Sequence, residues 1–288
     1  MIQVRSGRLN NKAITASDLA AGVAVDLVQT TDGQLVGTTT LGLKDASGTA
    51  DALTVTLKGV ATHGAADNAV ADLAFANIET LNLVSSSTST TGGVLAAADA
   101  NTVSDISSDT VLTTINASGS SALIVTVGTE ASKLNKFNGS AMTVDMSVTL
   151  AAGDVSVTGS SGDDTFIFGA SLNNKDVIVG GANSASTKED LLTATVTGLT
   201  ATTGALSISG VERINLTNAS SATIDATAIS GASEIAFLSG GTTTALTGLA
   251  AGAAIGIGHK DTDWTVTSSP LSSVFHFGWE LMSDFRFE

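Results

Sequence analysis

The chain contains no cysteine, no tyrosine and a single proline among its 288 residues. Without cysteine there is no disulfide framework and no thiolate metal site. A secreted protein needs neither, so this absence does not fix the compartment. Aromatic residues make up only 4% of the sequence, which argues against a core built on a few large rings. Small and β-branched residues suit close, regular layers of strands instead. Positive charge is scarce as well: 12 Lys and Arg stand against 27 Asp and Glu, for a net charge of −15. Neutralising phosphate takes clustered Lys and Arg, so neither nucleic acid nor an anionic membrane surface is an expected partner. No run approaches the roughly 18 uninterrupted apolar residues of a membrane-spanning helix, and no membrane insertion is expected. The basic first residues are followed by no hydrophobic stretch, so no Sec-type signal peptide is visible. Gly-x-Ser-x-Gly, phosphate-loop and His-Glu-x-x-His motifs are all missing, and His63, His259 and His276 are scattered. The chain therefore does not read as an enzyme.

What is present is repetition. Asp51-Ala-Leu-Thr-Val-Thr-Leu-Lys-Gly59 returns as Asp190-Leu-Leu-Thr-Ala-Thr-Val-Thr-Gly198. Phe75-Ala-Asn-Ile-Glu-Thr-Leu-Asn-Leu83 returns as Ile208-Ser-Gly-Val-Glu-Arg-Ile-Asn-Leu216. A copied strand-rich unit builds an elongated stack. Leu53, Val55 and Leu57 alternate with Thr54, Thr56 and Lys58, the pattern of a half-buried strand. Similar short runs follow at residues 123–127, 142–146, 155–157, 165–168, 177–179, 191–196, 214–216, 223–225 and 235–238. Nearly every gap carries Gly, Asn, Asp or Ser. The expected fold is all-β, a parallel β-solenoid or β-roll-like repeat with Gly/Asn/Asp-rich turns. Minor short helices are expected near Ser17-Asp18 and in the Ala-rich stretch 67–75, and a Ser/Thr/Gly-rich loop at 85–93. Composition divides the chain into a lead-in segment (1–35), a first module (36–150), a second module with Gly-Asp turns (151–258) and an atypical tail (259–288). The tail reads either as a C-terminal secretion signal or as a non-native scar.

The strongest local motif is Gly159-Ser-Ser-Gly-Asp163-Asp164-Thr-Phe166, followed by Lys175-Asp176-Val-Ile-Val-Gly180-Gly181-Ala-Asn183 and Glu189-Asp190-Leu-Leu. Calcium takes six to eight hard oxygen ligands from carboxylates and turn carbonyls, and glycine lets a turn fold back tightly. Asp163, Asp164, Asp176, Asn183 and Asp190 are the candidate metal ligands, with Asp45 and Asp51 around Gly48 in the first module. From spacing alone the same residues serve equally well as plain turn caps. Glu79 and Glu212 occupy equivalent repeat positions, which points to a structural role at a strand edge and not to catalysis.

At these residues the chain resembles bacterial surface-layer and RTX-like proteins exported by type I secretion. Their usual form is Gly-x-x-Gly-Asn-Asp-Thr-Phe, Asp-x-Ile-x-Gly-Gly-x-Gly-x-Asp-Thr-Leu, then Ile-Glu-Thr-Leu-Asn-Leu. The resemblance covers roughly residues 40–250. This chain departs from it where Asp163 stands in place of Asn, and in the longer segment after Gly181, which lacks a third Gly. The resemblance implies calcium-coupled folding, export without a Sec signal, and self-association into an oligomer or lattice at the bacterial cell surface. The expected function is thus an extracellular structural protein of surface-layer type. The alternative is an adhesin, or the repeat region of a larger type I-secreted protein; beside self-association, cell-surface polysaccharide is the other candidate partner.

Overall fold

A computed structural model describes residues 1–6, 12–29, 35–59, 68–87, 100–107, 110–151, 153–183, 189–196, 205–218, 222–239, 243–249, 254–257, 263–268, 275–277 and 286–287. Among these residues every regular element is a strand, and every strand pairing is parallel. Successive strands alternate between a first sheet of ten strands and a second of twelve. The chain therefore winds as a coil, and each turn of the coil adds one strand to each sheet. The repeat is short: Val155 and Asp176, on neighbouring turns, are 21 residues apart, and Asp190 and Glu212 are 22 apart. This is the parallel β-solenoid that the alternating runs predict.

The period-two pattern puts every second side chain inside. Along the first sheet, Leu53, Leu81, Ile115, Phe137, Val157, Ile178, Ile208 and Ile229 stack in one inner row. Along the second sheet, Val70, Val103, Val125, Val148, Phe166, Leu192, Ile214 and Ile235 form its counterpart, each fully buried. The two rows face each other and make the core, so five phenylalanines suffice among its largest fully buried side chains. The outer rows are polar. Thr54, Asn82, Asn116 and Asn138 lie side by side on the first sheet, and Asn116 Nδ2 donates to Asn82 Oδ1 at 3.0 Å.

Both sheets run through the boundary between the two modules: Met146–Leu150 pairs with Leu123–Val127 on one side and with Asp164–Gly169 on the other. The lead-in segment supplies Ile2–Ser6, Ile14–Leu19 and Ala24–Gln29 to the same sheets. Near the C-terminal end the coil changes partner. The first sheet ends at Ile229–Ser230, while a third sheet of four strands begins at Ala222–Asp225. From there the chain alternates between the second and third sheets. Three tail segments, Asp263–Ser268, Phe275–Phe277 and Arg286–Phe287, take part in these sheets.

Four local expectations are corrected. No helix occurs among the described residues. Ser17 and Asp18 belong to the strand Ile14–Leu19, where Asp18 takes a positive φ of 58° at a register break, and Leu19 O accepts Lys44 N–H. The Ala-rich stretch is the strand Asn68–Phe75, paired on both sides; Val70, Leu73 and Phe75 are buried, and that packing outweighs alanine's helix propensity. Residue 67 lies outside the described residues. Ser85 to Ser87 close the strand Thr80–Ser87, with the buried Ser85 hydroxyl donating to Ala122 O at 3.1 Å, while 88–93 fall outside the described residues. Finally, Met142 to Met146 is the corner between two strands. Thr143 N–H donates to Gly119 O at 3.0 Å, on the turn of coil before it.

Candidate functional site: the carboxylate corner

Where the chain bends from one sheet into the other, the backbone N–H at the entry to the new strand needs an acceptor. At the corner leading into the second sheet, three successive turns place Asp164, Asp190 and Glu212 one above another. Each side chain reaches back to the preceding turn. Met146 N–H donates to Asp164 Oδ1 at 2.9 Å, Asp164 N–H to Asp190 Oδ1 at 2.8 Å, and Asp190 N–H to Glu212 Oε2 at 2.8 Å. A neighbouring row runs beside it: Asp163 N–H donates to Asp145 Oδ1 at 2.9 Å, and Glu189 N–H to Asp163 Oδ1 at 3.0 Å. The same device appears at the corner leading into the first sheet. There Asp51 N–H donates to Glu79 Oε2 at 2.8 Å, and Val155 N–H to Asp176 Oδ1 at 2.8 Å.

The second oxygens of Asp164 and Asp176 are engaged as well. Asp164 Oδ2 accepts Ser160 N–H at 2.5 Å, and its Oδ1 also takes the Ser160 hydroxyl at 2.8 Å. Asp176 Oδ2 accepts Asn173 N–H at 2.7 Å. Asp190 Oδ2 is the exception, a buried oxygen without a hydrogen-bond partner on a residue with no exposed surface. It faces the backbone of Gly180. A Cβ at Gly180 would sit 2.3 Å from this oxygen and 1.7 Å from Gly210 O. Gly159 stands one turn earlier in the same way, its missing Cβ 1.7 Å from Gly180 O. Glycine is required here because the turns stack backbone on backbone.

Burial dominates the electrostatics. It pushes the Asp164 carboxyl up to about 6, against the pull of its bonds from Ser160 and Met146, and the Asp145 charge adds to the rise. It pushes Asp190 up to about 7, with Asp164, Glu212 and Asp163 adding repulsion. Asp176 is raised by burial and by Asp154. At the other end of the scale, Asp45 is exposed and capped by its own turn, with Ser47 Oγ at 2.7 Å and Ser47 N–H at 3.2 Å holding its carboxyl below the ordinary value.

Of the residues singled out from sequence, Asp163, Asp164 and Asp190 come together in one corner. Asp176 serves a different corner, Asn183 is half-buried in the turn after Gly181, and Asp45 and Asp51 lie in the first module. Asp51 Oδ2 accepts Gly48 N–H at 3.0 Å. Two members of the corner, Asp145 and Glu212, were not anticipated there. Their signal is an acidic residue recurring just ahead of a strand, spaced by 18 residues from Asp145 to Asp163 and by 22 from Asp190 to Glu212. Glu79 and Glu212 have the structural role that their equivalence suggests.

Among the described residues no three His, Cys, Asp or Glu side chains converge as a set able to hold a metal ion. The corner does not fit calcium. Each of its carboxylates gives an oxygen to a backbone amide, and the buried oxygen without a partner, Asp190 Oδ2, abuts the main chain. An open groove of about 410 Å³ beside Leu150, Ile167 and Phe168 carries no titratable side chain. Comparison with protein-family models, with curated proteins and with solved structures yields no match.

Proposed function

We propose that this chain is an extracellular structural protein of surface-layer type, self-assembling at the bacterial cell surface and without catalytic activity. The observation that carries the reading is how the polar groups are spent. Corner carboxylates, outer-row amides and turn glycines all hold one turn of the coil to the next, across two sheets of ten and twelve strands. A chain so committed to its own regular length serves as a building element. The net charge of −15 keeps copies apart in solution, so assembly proceeds through uncharged outer rows and strand edges. The resemblance to surface-layer and RTX-like proteins supports export by type I secretion. Calcium enters this reading only through that resemblance.

A second reading, an adhesin or a repeat region of a larger secreted protein, is favoured by one observation. Beyond the bonds between turns, the half-buried outer row of Thr54, Asn82, Asn116 and Asn138 keeps neutral donors and acceptors toward solvent, suited to a polysaccharide chain. Antibody labelling of intact source cells tests the first reading. A continuous surface coat is expected. Label that appears only after lysis refutes it.

A further inference from the structure

The geometry points to coil corners closed by carboxyl-to-amide clasps that need no cation. The inference is independent of whether copies assemble. From the end of the first module into the second the clasps form an unbroken series from Met146 through Asp164 and Asp190 to Glu212, each link a hydrogen bond of 2.8 or 2.9 Å between neighbouring turns. Those oxygens already have amide donors as partners, so the corners close without a cation, and an ion that took the place of a donor would leave that N–H buried without an acceptor.

Asp190 Oδ2, buried and without a hydrogen-bond partner, gives no opening. It and Gly210 O flank the single vacant Cβ position of Gly180, at 2.3 and 1.7 Å. The two oxygens are therefore at most about 4 Å apart, with main chain on the Gly180 side. A calcium ion needs six to eight oxygens at 2.3–2.6 Å around it. A pair of facing acceptors asks instead for one hydrogen between them, which a side-chain amide at position 190 would supply. The first module repeats the clasp with Glu79 on Asp51, at the same 2.8 Å and at the corner of the other sheet. The device thus belongs to the coil and not to one motif.

The test is thermal unfolding of the full chain and of D190N, D164N and D190A, each in excess EGTA and in millimolar calcium chloride. The D190N side chain keeps an oxygen for the Asp164 amide and presents N–H where the wild type has a bare oxygen. The wild-type Tm is expected to be the same in both buffers, D190N is expected to keep or raise it, and D190A to melt below D190N. Calcium held a hundredfold above its dissociation constant at a folded-state site would raise Tm by roughly 5–10 °C. A rise of that size that D190N or D164N abolishes overturns the inference. A rise that survives in both variants puts the ion outside the corner and leaves the clasps standing.

Discussion

Replacing Asp190 by asparagine should stabilise the protein at neutral and alkaline pH, although it removes a carboxylate that holds two turns together. The carboxyl is raised from 3.8 to about 7 by burial and by its acidic neighbours. Holding it ionised at pH 8 therefore costs at most about 4 kcal/mol. Asparagine keeps the acceptor for Asp164 N–H at the 2.8 Å position and carries no charge. Such a change corresponds to a Tm rise of up to roughly 10 °C for a chain of this size. Asp164 supplies the control. Its Oδ2 accepts Ser160 N–H at 2.5 Å and its Oδ1 accepts both Met146 N–H and the Ser160 hydroxyl. An amide at 164 must turn its NH₂ toward one of these donors, which leaves D164N about 1–3 kcal/mol less stable than D190N at the same pH. The pH profile follows from the same two groups. Both have folded-state values above the unfolded one, so the native state binds more protons between about pH 4 and 7. Their contribution is complete below about pH 4 and is lost as pH rises through about 6 and 7. Asp45, Asp154 and Asp225, lowered by hydrogen bonds from Ser47, Lys175 and Thr227, act oppositely and lose their contribution as pH falls below about 4. Urea unfolding of wild type, D190N and D164N from pH 4 to 8 reads this directly. A wild type that grows more stable from pH 5 to 8, or a D190N less stable than D164N, refutes the reasoning.

Three further outcomes are expected. Gly180→Ala places a methyl 1.7 Å from Gly210 O and should cost at least about 3 kcal/mol, read as a lowered urea midpoint; a midpoint within error of wild type would mean that the turns do not stack as closely as described. Phe166→Ala empties the middle of the second inner row, between Val148 and Leu192, and should cost about 3–5 kcal/mol, again read from the urea midpoint. Glu79→Ala and Glu212→Ala should each cost about 1–3 kcal/mol by stranding the amides of Asp51 and Asp190, while the glutamine variants retain most of that stability; unequal behaviour of the two sites under thermal melting would break their equivalence.

Alternation made most strands legible in the sequence, because a parallel coil with one buried face writes its core as every second residue. Leu53, Val55 and Leu57 are the clearest case. Legibility was lost where composition and register disagree. Asn68–Phe75 looks helical because alanine fills positions 69, 71 and 74, and only pairing on both sides makes it a strand. Met142 to Met146 alternates well but sits at a corner. A subtler limit concerns the repeat itself. The strand after Asp51 lies in the first sheet and its copy after Asp190 in the second, as do the strands after Glu79 and Glu212. The copied unit is a corner with its strand. Both sheets accept it, and which one receives it depends on the number of strands before it. The acidic turn residues were legible as such. That their side chains run along the coil axis to an amide of the neighbouring turn depends on the register between turns, and no local motif encodes it.

The central claim, a structural element that builds an ordered layer from copies of itself, is tested most directly by negative-stain electron microscopy of the purified chain over a range of concentrations, in EGTA and in calcium. Ordered sheets or filaments that grow with concentration are expected. Dispersed particles of one-chain size under every condition would contradict it.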